Sequence, residues 1–195
     1  MSPIQAIPAI RPLVRADAAA FRAIRVEALT RNPGAFGAAA SDWAELSDEA
    51  VAARIPTQPP SVILGAFAQE PISEASPESL VAMAGLMVGG SIKQLHKGLV
   101  WGVYVREAWR RQGLAAAMID ALIAHARRCE SLEILLLSVA ADNPAARALY
   151  VSRGFTPYGL ERHALKLGPG NYRDEELMAL DLAPHGPGAP QQAAR

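Results

Sequence analysis

Residues 132–140 read Leu-Glu-Ile-Leu-Leu-Leu-Ser-Val-Ala, a near-unbroken apolar run. A strand with that composition has to be covered on both faces, which is the condition of a parallel strand inside a layered α/β domain. What precedes it fits. Residues 98–105 read as a strand and residues 110–129 as a long helix, because Leu114, Met118, Leu122 and Ala126 lie along one face while Asp120, Arg127 and Arg128 lie off it. Strand, helix and buried strand in that order form a β-α-β unit, so the chain is expected to fold around a sheet containing a parallel pair.

The flanking segments extend this sheet. Residues 7–15 are a short apolar stretch interrupted by Pro8 and Pro12, which suits an edge strand because proline removes a ladder donor. Asp17 reads as the N-cap of a helix over 18–30, with Phe21, Ile24, Ala28 and Leu29 at three- and four-residue steps, ending before Asn32-Pro33-Gly34. A short helix follows Ser47. Residues 61–69 form a strand after Pro56, Pro59 and Pro60, and a loop spans 70–79. Residues 80–88 and 98–105 make a hairpin. Asn143 caps a helix with Pro144 at its first position, and that helix ends at Gly154. Strands over 155–167 and 176–182 close a single domain of residues 1–182, and the Pro-, Gly- and Ala-rich residues 183–195 are expected to be a disordered tail.

Composition removes whole classes of function. The 195 residues carry 19 Lys+Arg against 19 Asp+Glu, so no excess of positive charge marks a nucleic-acid-binding face. The single Cys129 cannot form an internal disulfide and fits a reducing compartment, and four scattered His offer no metal-ligand spacing. No stretch reaches the roughly 18 apolar residues of a membrane helix. A cytoplasmic protein without metal is expected.

The strand-to-helix junction carries the chemistry. Val103, Tyr104 and Val105 end a strand, and Arg110-Arg111-Gln112-Gly113-Leu114-Ala115 opens the helix. A helix N-terminus offers unpartnered N–H groups and the positive end of the dipole, Gly113 and Ala115 keep side chains out of the way, and Arg110 and Arg111 add charge suited to phosphate. Gly113 easing a tight turn beside solvated arginines accounts for the same residues about as well. A nucleotide P-loop needs Gly-Lys-Ser/Thr, and a dinucleotide fold needs three glycines; neither is present.

Arg110-Arg111-Gln112-Gly113-Leu114-Ala115 resembles the Arg/Gln-x-x-Gly-x-Gly/Ala signature of the GNAT-type N-acetyltransferases. Asn143-Pro144-Ala145-Ala146-Arg147-Ala148-Leu149-Tyr150 followed by Arg153-Gly154-Phe155 is similar to that superfamily's Asn-x-x-Ala-x-x-x-Tyr-x-x-x-Gly-Phe pattern. Arg25-Val26-Glu27-Ala28-Leu29 with Asn32-Pro33-Gly34-Ala35-Phe36 looks like an opening found in many bacterial members. The resemblance implies a mixed α/β fold, a central twisted sheet of about seven strands flanked by about four helices. It implies an acetyl-CoA-dependent N-acetyltransferase acting on a primary amine of a small molecule or of a protein or peptide by direct transfer in a ternary complex, with a homodimer as a possible assembly.

By the same resemblance, the coenzyme A pyrophosphate rests on the backbone of residues 111–116, hence Arg111, Gln112, Gly113, Leu114, Ala115 and Ala116, with Arg110 beside them. Val103, Tyr104 and Val105 pair with the pantetheine arm in a slot facing 138–140, and an N–H near Tyr104 polarises the thioester oxygen. Asn143 contacts the cofactor arm, and Tyr150, two helical turns on, protonates the departing thiolate. Read from the residues alone, Asn143 is equally a helix cap and Tyr150 a packing aromatic. No base is assigned. Ser138 stands where members that acetylate protein N-termini often carry Glu; Glu161, His163 and Glu27 are the candidates for the base, and surface charge or capping accounts better for each of them. The acceptor-determining segments would be 18–55 and the loop 168–174. The alternative is a non-catalytic acyl-CoA-binding or regulatory module that keeps the cradle without an acceptor site.

Overall fold

The computed structural model describes residues 8–68 and 79–182. The stretch 70–78 of the expected loop and the expected tail at 183–195 lie outside the described residues. Seven strands form one sheet: β1 (Ala9–Pro12), β2 (Val62–Phe67), β3 (Leu80–Val88), β4 (Lys97–Val105), β5 (Ile134–Ala140), β6 (Thr156–Gly168) and β7 (Asn171–Asp181), in the order β1-β2-β3-β4-β5-β7-β6. All neighbours are antiparallel except β4 and β5. This is the mixed α/β sheet the sequence implies, with the proline-bearing β1 on an edge.

Five α-helices accompany it among the described residues: α1 (Ala18–Arg31), α2 (Ser41–Ala44), α3 (Asp48–Ala52), α4 (Leu114–Arg127) and α5 (Pro144–Val151). Two buried clusters sit on opposite faces of the sheet. On one, the α4 stripe of Leu114, Met118, Leu122 and Ala126 packs with Leu64, Leu86, Leu135 and Phe155. On the other, Phe21, Ile24, Ala28 and Leu29 of α1 meet Ile63, Leu80, Met83 and Trp43. Neighbouring residues of β2 divide between the clusters, Val62, Leu64 and Ala66 to one and Ile63 to the other, as the two-residue period of a strand requires.

Three expectations are corrected, and one helix is added. Asp17 precedes α1 but does not cap it; its carboxylate accepts the Val14 N–H at 2.8 Å and the Arg11 guanidinium at 2.7 Å, closing the 3₁₀ turn before the helix. The long helix starts at Leu114 rather than 110, since Arg110 is extended (ψ 160°) and Arg111 and Gly113 have φ of 61° and 81°, incompatible with a right-handed helix. The 168–174 loop is a tight turn: Gly168 pairs with Asn171, leaving Pro169 and Gly170 between, with Gly170 at φ 70°. Helix α2, unforeseen, is one turn long and is held by Trp43 edge-on to Phe21, ring centroids 5.3 Å apart.

Candidate active site

The parallel pairing of β4 and β5 is brief. Lys97, Gly98 and Leu99 pair with Ile134, Leu135 and Leu136, and no further rung follows. Beyond that point β4 stays bonded to β3, out to Val105 on Ala82, and β5 stays bonded to β7, out to Ala140 on Glu175. Two strand edges therefore face each other across a gap inside the sheet, each with backbone groups that an extended ligand can pair with.

A bulge in β4 accompanies the gap. Met83 pairs with Tyr104 and Gly85 with Trp101, so Ala84 alone stands opposite Gly102 and Val103. Gly102 has φ 64°, the left-handed conformation that a bulge of this kind asks of its glycine. The resulting slot, a cavity of about 90 Å³, is lined by Val100 to Val103 on β4, Leu137 to Ala140 on β5, Asn143, Ala146 and Tyr150 on α5, and Ala35 and Phe36 after α1. The volume suits a narrow chain rather than a bulky ring.

Helix α4 begins just past the end of β4. Its first backbone bond runs from the Ala117 N–H to the Gly113 carbonyl, 3.0 Å, and no side chain caps it, so Leu114, Ala115 and Ala116 present N–H groups without a helical or capping partner. A Cβ on Gly113 would meet nothing within 4 Å. The approach to this turn is open. Arg110 is anchored by its Nε donating to the Val105 carbonyl at 2.8 Å, and Gln112 by Nε2 donating to the Ala108 carbonyl at 3.0 Å.

Helix α5 closes the other wall. Asn143 caps it, Oδ1 accepting the Ala146 N–H at 3.1 Å, and Pro144 takes the first helical position. Tyr150 is 8% exposed and packs edge-on to Phe155, with centroids 5.9 Å apart. Burial pushes its phenol up to about 12, so it is neutral at any physiological pH.

The expected site residues divide into three groups. Val103, Asn143 and Tyr150 line the slot together with Ser138. Arg111, Gln112, Gly113, Leu114, Ala115, Ala116 and Arg110 form the open turn. Tyr104 and Val105 are not lining residues: Tyr104 turns to the α1 face, where its hydroxyl donates to Glu27 Oε1 at 3.0 Å, and burial, then this bond, raises its pKa. Glu27 Oε2 meets Arg106 Nε at 3.0 Å, so both carboxylate oxygens are engaged. His163 stacks on Tyr172 at 4.7 Å while its backbone N–H donates to Asp174, and Glu161 pairs with Glu175 across the hairpin. None of Glu27, Glu161 and His163 lines the slot. Among the described residues no group of three His, Cys, Asp or Glu side chains is arranged to hold a metal, and no helix is long and apolar enough to cross a membrane.

Sequence reading missed Arg25, Phe36, Trp101 and Gly102. Arg25 is the one buried charged residue of the described chain, 6% exposed. Its signal was spacing: four residues from both Phe21 and Leu29, it belongs to the buried face of α1.

Comparison with known proteins bears on this geometry. The model of the acetyltransferase (GNAT) family matches residues 38–155. No curated protein matches the sequence. Among solved structures, a GNAT-family acetyltransferase from Streptococcus pneumoniae aligns at 19% identity over 90% of this chain and 99% of its own, TM-score 0.75. The yncA protein of Salmonella typhimurium, solved with its cofactor acetyl-CoA, aligns at 21% identity over 96% and 100%, TM-score 0.74. The ribosomal-protein-S18-alanine N-acetyltransferase from Escherichia coli aligns at 21% over 94% and 99%, TM-score 0.66. At these identities the structural likeness speaks for the fold.

Proposed function

Because the chain belongs to the GNAT acetyltransferase family, we propose that it transfers an acetyl group from acetyl-CoA directly to a primary amine, both substrates being bound together. The observation that carries this reading is the parting of β4 from β5 beside an uncapped helix N-terminus, with Tyr150 on the wall of the gap. Acetyl-CoA supplies the acyl group as an activated thioester. The residues fit it: the open N–H groups of Leu114, Ala115 and Ala116 bind pyrophosphate oxygens, Gly113 leaves them room, and Arg110 and Arg111 add positive charge. The free edge of β4 at Val103 pairs with the amides of the pantetheine arm, and an N–H of the bulge polarises the thioester oxygen.

Tyr150 acts on the leaving sulfur. As the amine nitrogen bonds to the acyl carbon and the C–S bond breaks, charge gathers on sulfur and the Tyr150 hydroxyl donates to it. With the phenol at about 12 and a thiol near ~8.5, full proton transfer runs uphill by ~5 kcal/mol. That cost fits under the ~16 kcal/mol barrier of a typical enzyme turnover. The nitrogen's surplus proton leaves to water, since none of Glu27, Glu161 and His163 lines the slot. Cytoplasmic location remains part of this proposal.

Acetyl-CoA consumption against a panel of small amines, amino acids and peptides tests the reading. Stoichiometric release of coenzyme A with an acetylated amine is the expected result. Tight acetyl-CoA binding without turnover on any amine would favour the non-catalytic module.

A further inference from the structure

Among the described residues Arg25 is a cation with no counterion. Nε and Nη1 are buried and have no hydrogen-bond partner, and no carboxylate of the described residues pairs with the group. Three aromatic rings surround it: Cζ stands 5.2 Å from the centroid of Phe36, 5.4 Å from Trp43 and 5.3 Å from Trp101. Cation–π attraction offsets part of the cost of burying a guanidinium, but it satisfies none of the N–H donors. A methionine would fill the same space without that cost.

The position of the guanidinium explains what it is for. Two of its three rings, Phe36 and Trp101, line the slot, and so does Gly102. Arg25 itself stands behind that wall rather than among the lining residues, and a Cβ on Gly102 would come within 3.4 Å of Nη1, so the donor lies directly against the bulge. The indole of Trp101 is itself seated by Gly85, where a Cβ would come within 2.4 Å of the ring. Burial lowers the pKa of Arg25 to about 10, which leaves it cationic at neutral pH. The nearest candidate counterion on the same helix, Glu27, lies two positions on and faces another way, with its oxygens on Tyr104 and Arg106.

We propose that Arg25 is the anchor for a carboxylate on the acceptor, so that the amine acetylated here belongs to a small molecule of the free amino acid class. The inference rests on the acetyl-transfer reading for the amine end only. A guanidinium with unused donors pairs a carboxylate in a bidentate fashion, and the ring cage fixes its plane. An α-amino acid carries its amine two bonds from its carboxylate, so anchoring one end at Arg25 sets the other beside the bulge of β4.

The test uses the wild-type protein with matched acceptors: an amino acid, its carboxamide, and the amine lacking the carboxyl group. The amino acid should exceed both in kcat/KM by at least tenfold, mainly through KM, and Arg25→Lys should reduce that preference to threefold or less. Equal kcat/KM for the three acceptors in the wild-type protein overturns the anchor and leaves acetyl transfer standing. If no acceptor is turned over, calorimetry on the coenzyme A-loaded wild-type protein decides: binding of the amino acid but not its carboxamide keeps the anchor and removes transfer, whereas equal or absent binding overturns the anchor.

Discussion

Leu99 and Leu136 form the last rung between β4 and β5, and three residues further along β4 the chain bulges at Gly102. The two features belong together. A bulge bends its strand and raises the local twist, so β4 turns away from a neighbour that stays straight against β7. Gly102→Val places a β-branched residue at φ 64°, where its side chain is strained, and sets a Cβ 3.4 Å from Arg25 Nη1. We expect a loss of about 1–2 kcal/mol, read as a fall in Tm of about 2–8 °C, together with weaker acetyl-CoA binding by calorimetry. Wild-type affinity in this variant would separate the bulge from the cofactor slot.

Gly113→Glu should weaken acetyl-CoA binding at least tenfold, because a carboxylate would share the open turn with a diphosphate; each tenfold corresponds to about 1.4 kcal/mol. Gly113→Ala carries the same strained φ of 81° without the charge and should lose far less. Similar losses in both variants would show that backbone strain, rather than anion binding, governs this turn.

Tyr150→Phe should lower turnover about 10²-fold while changing acetyl-CoA affinity little, as expected for loss of a donor that matters when charge develops on sulfur. The same variant reads the phenol's burial. Its folded pKa, about 12, lies above the ordinary value near ~10, so the stability of the neutral form is intact below pH ~10 and is lost as pH rises through 12. Wild-type Tm should therefore fall more steeply than that of Tyr150→Phe between pH 10 and 12, by up to about 5–10 °C. Parallel Tm curves would mean that Tyr150 is accessible to water.

Asn143→Ala should cost about 1 kcal/mol through loss of the cap to the Ala146 N–H, whereas Asn143→Asp keeps an acceptor there and should retain stability. Comparing acetyl-CoA affinity in Asn143→Asp and wild type isolates any contribution of the side-chain amide to the cofactor. An Asn143→Ala melt unchanged from wild type would remove the capping role.

Much of the scaffold was legible from periodicity. Leu114, Met118, Leu122 and Ala126 repeat every four residues and all are buried on the sheet, whereas the apolar run at 134–140 is fully covered on one face only, with Leu135, Leu137 and Val139 buried, Ile134 and Leu136 half-buried and Ser138 exposed. Asn143-Pro144 was readable because cap and first-turn chemistry is local. Asp17 was misread for the complementary reason: its partners, Val14 and Arg11, lie on the N-terminal side, and a cap pattern does not say which turn a carboxylate will close.

The sequence by itself determined most of the elements and the glycine turn that opens α4, because helical and strand periods, caps and the Gly113 junction depend on neighbours within a few residues. Tertiary structure alone decided that Arg25 would be caged by Phe36, Trp43 and Trp101, that Tyr104 would leave the slot for Glu27, and that β4 would part from β5 after Leu99. Those outcomes depend on which distant residues share one volume, and burial and strand pairing are set by the packed sheet rather than by any local pattern.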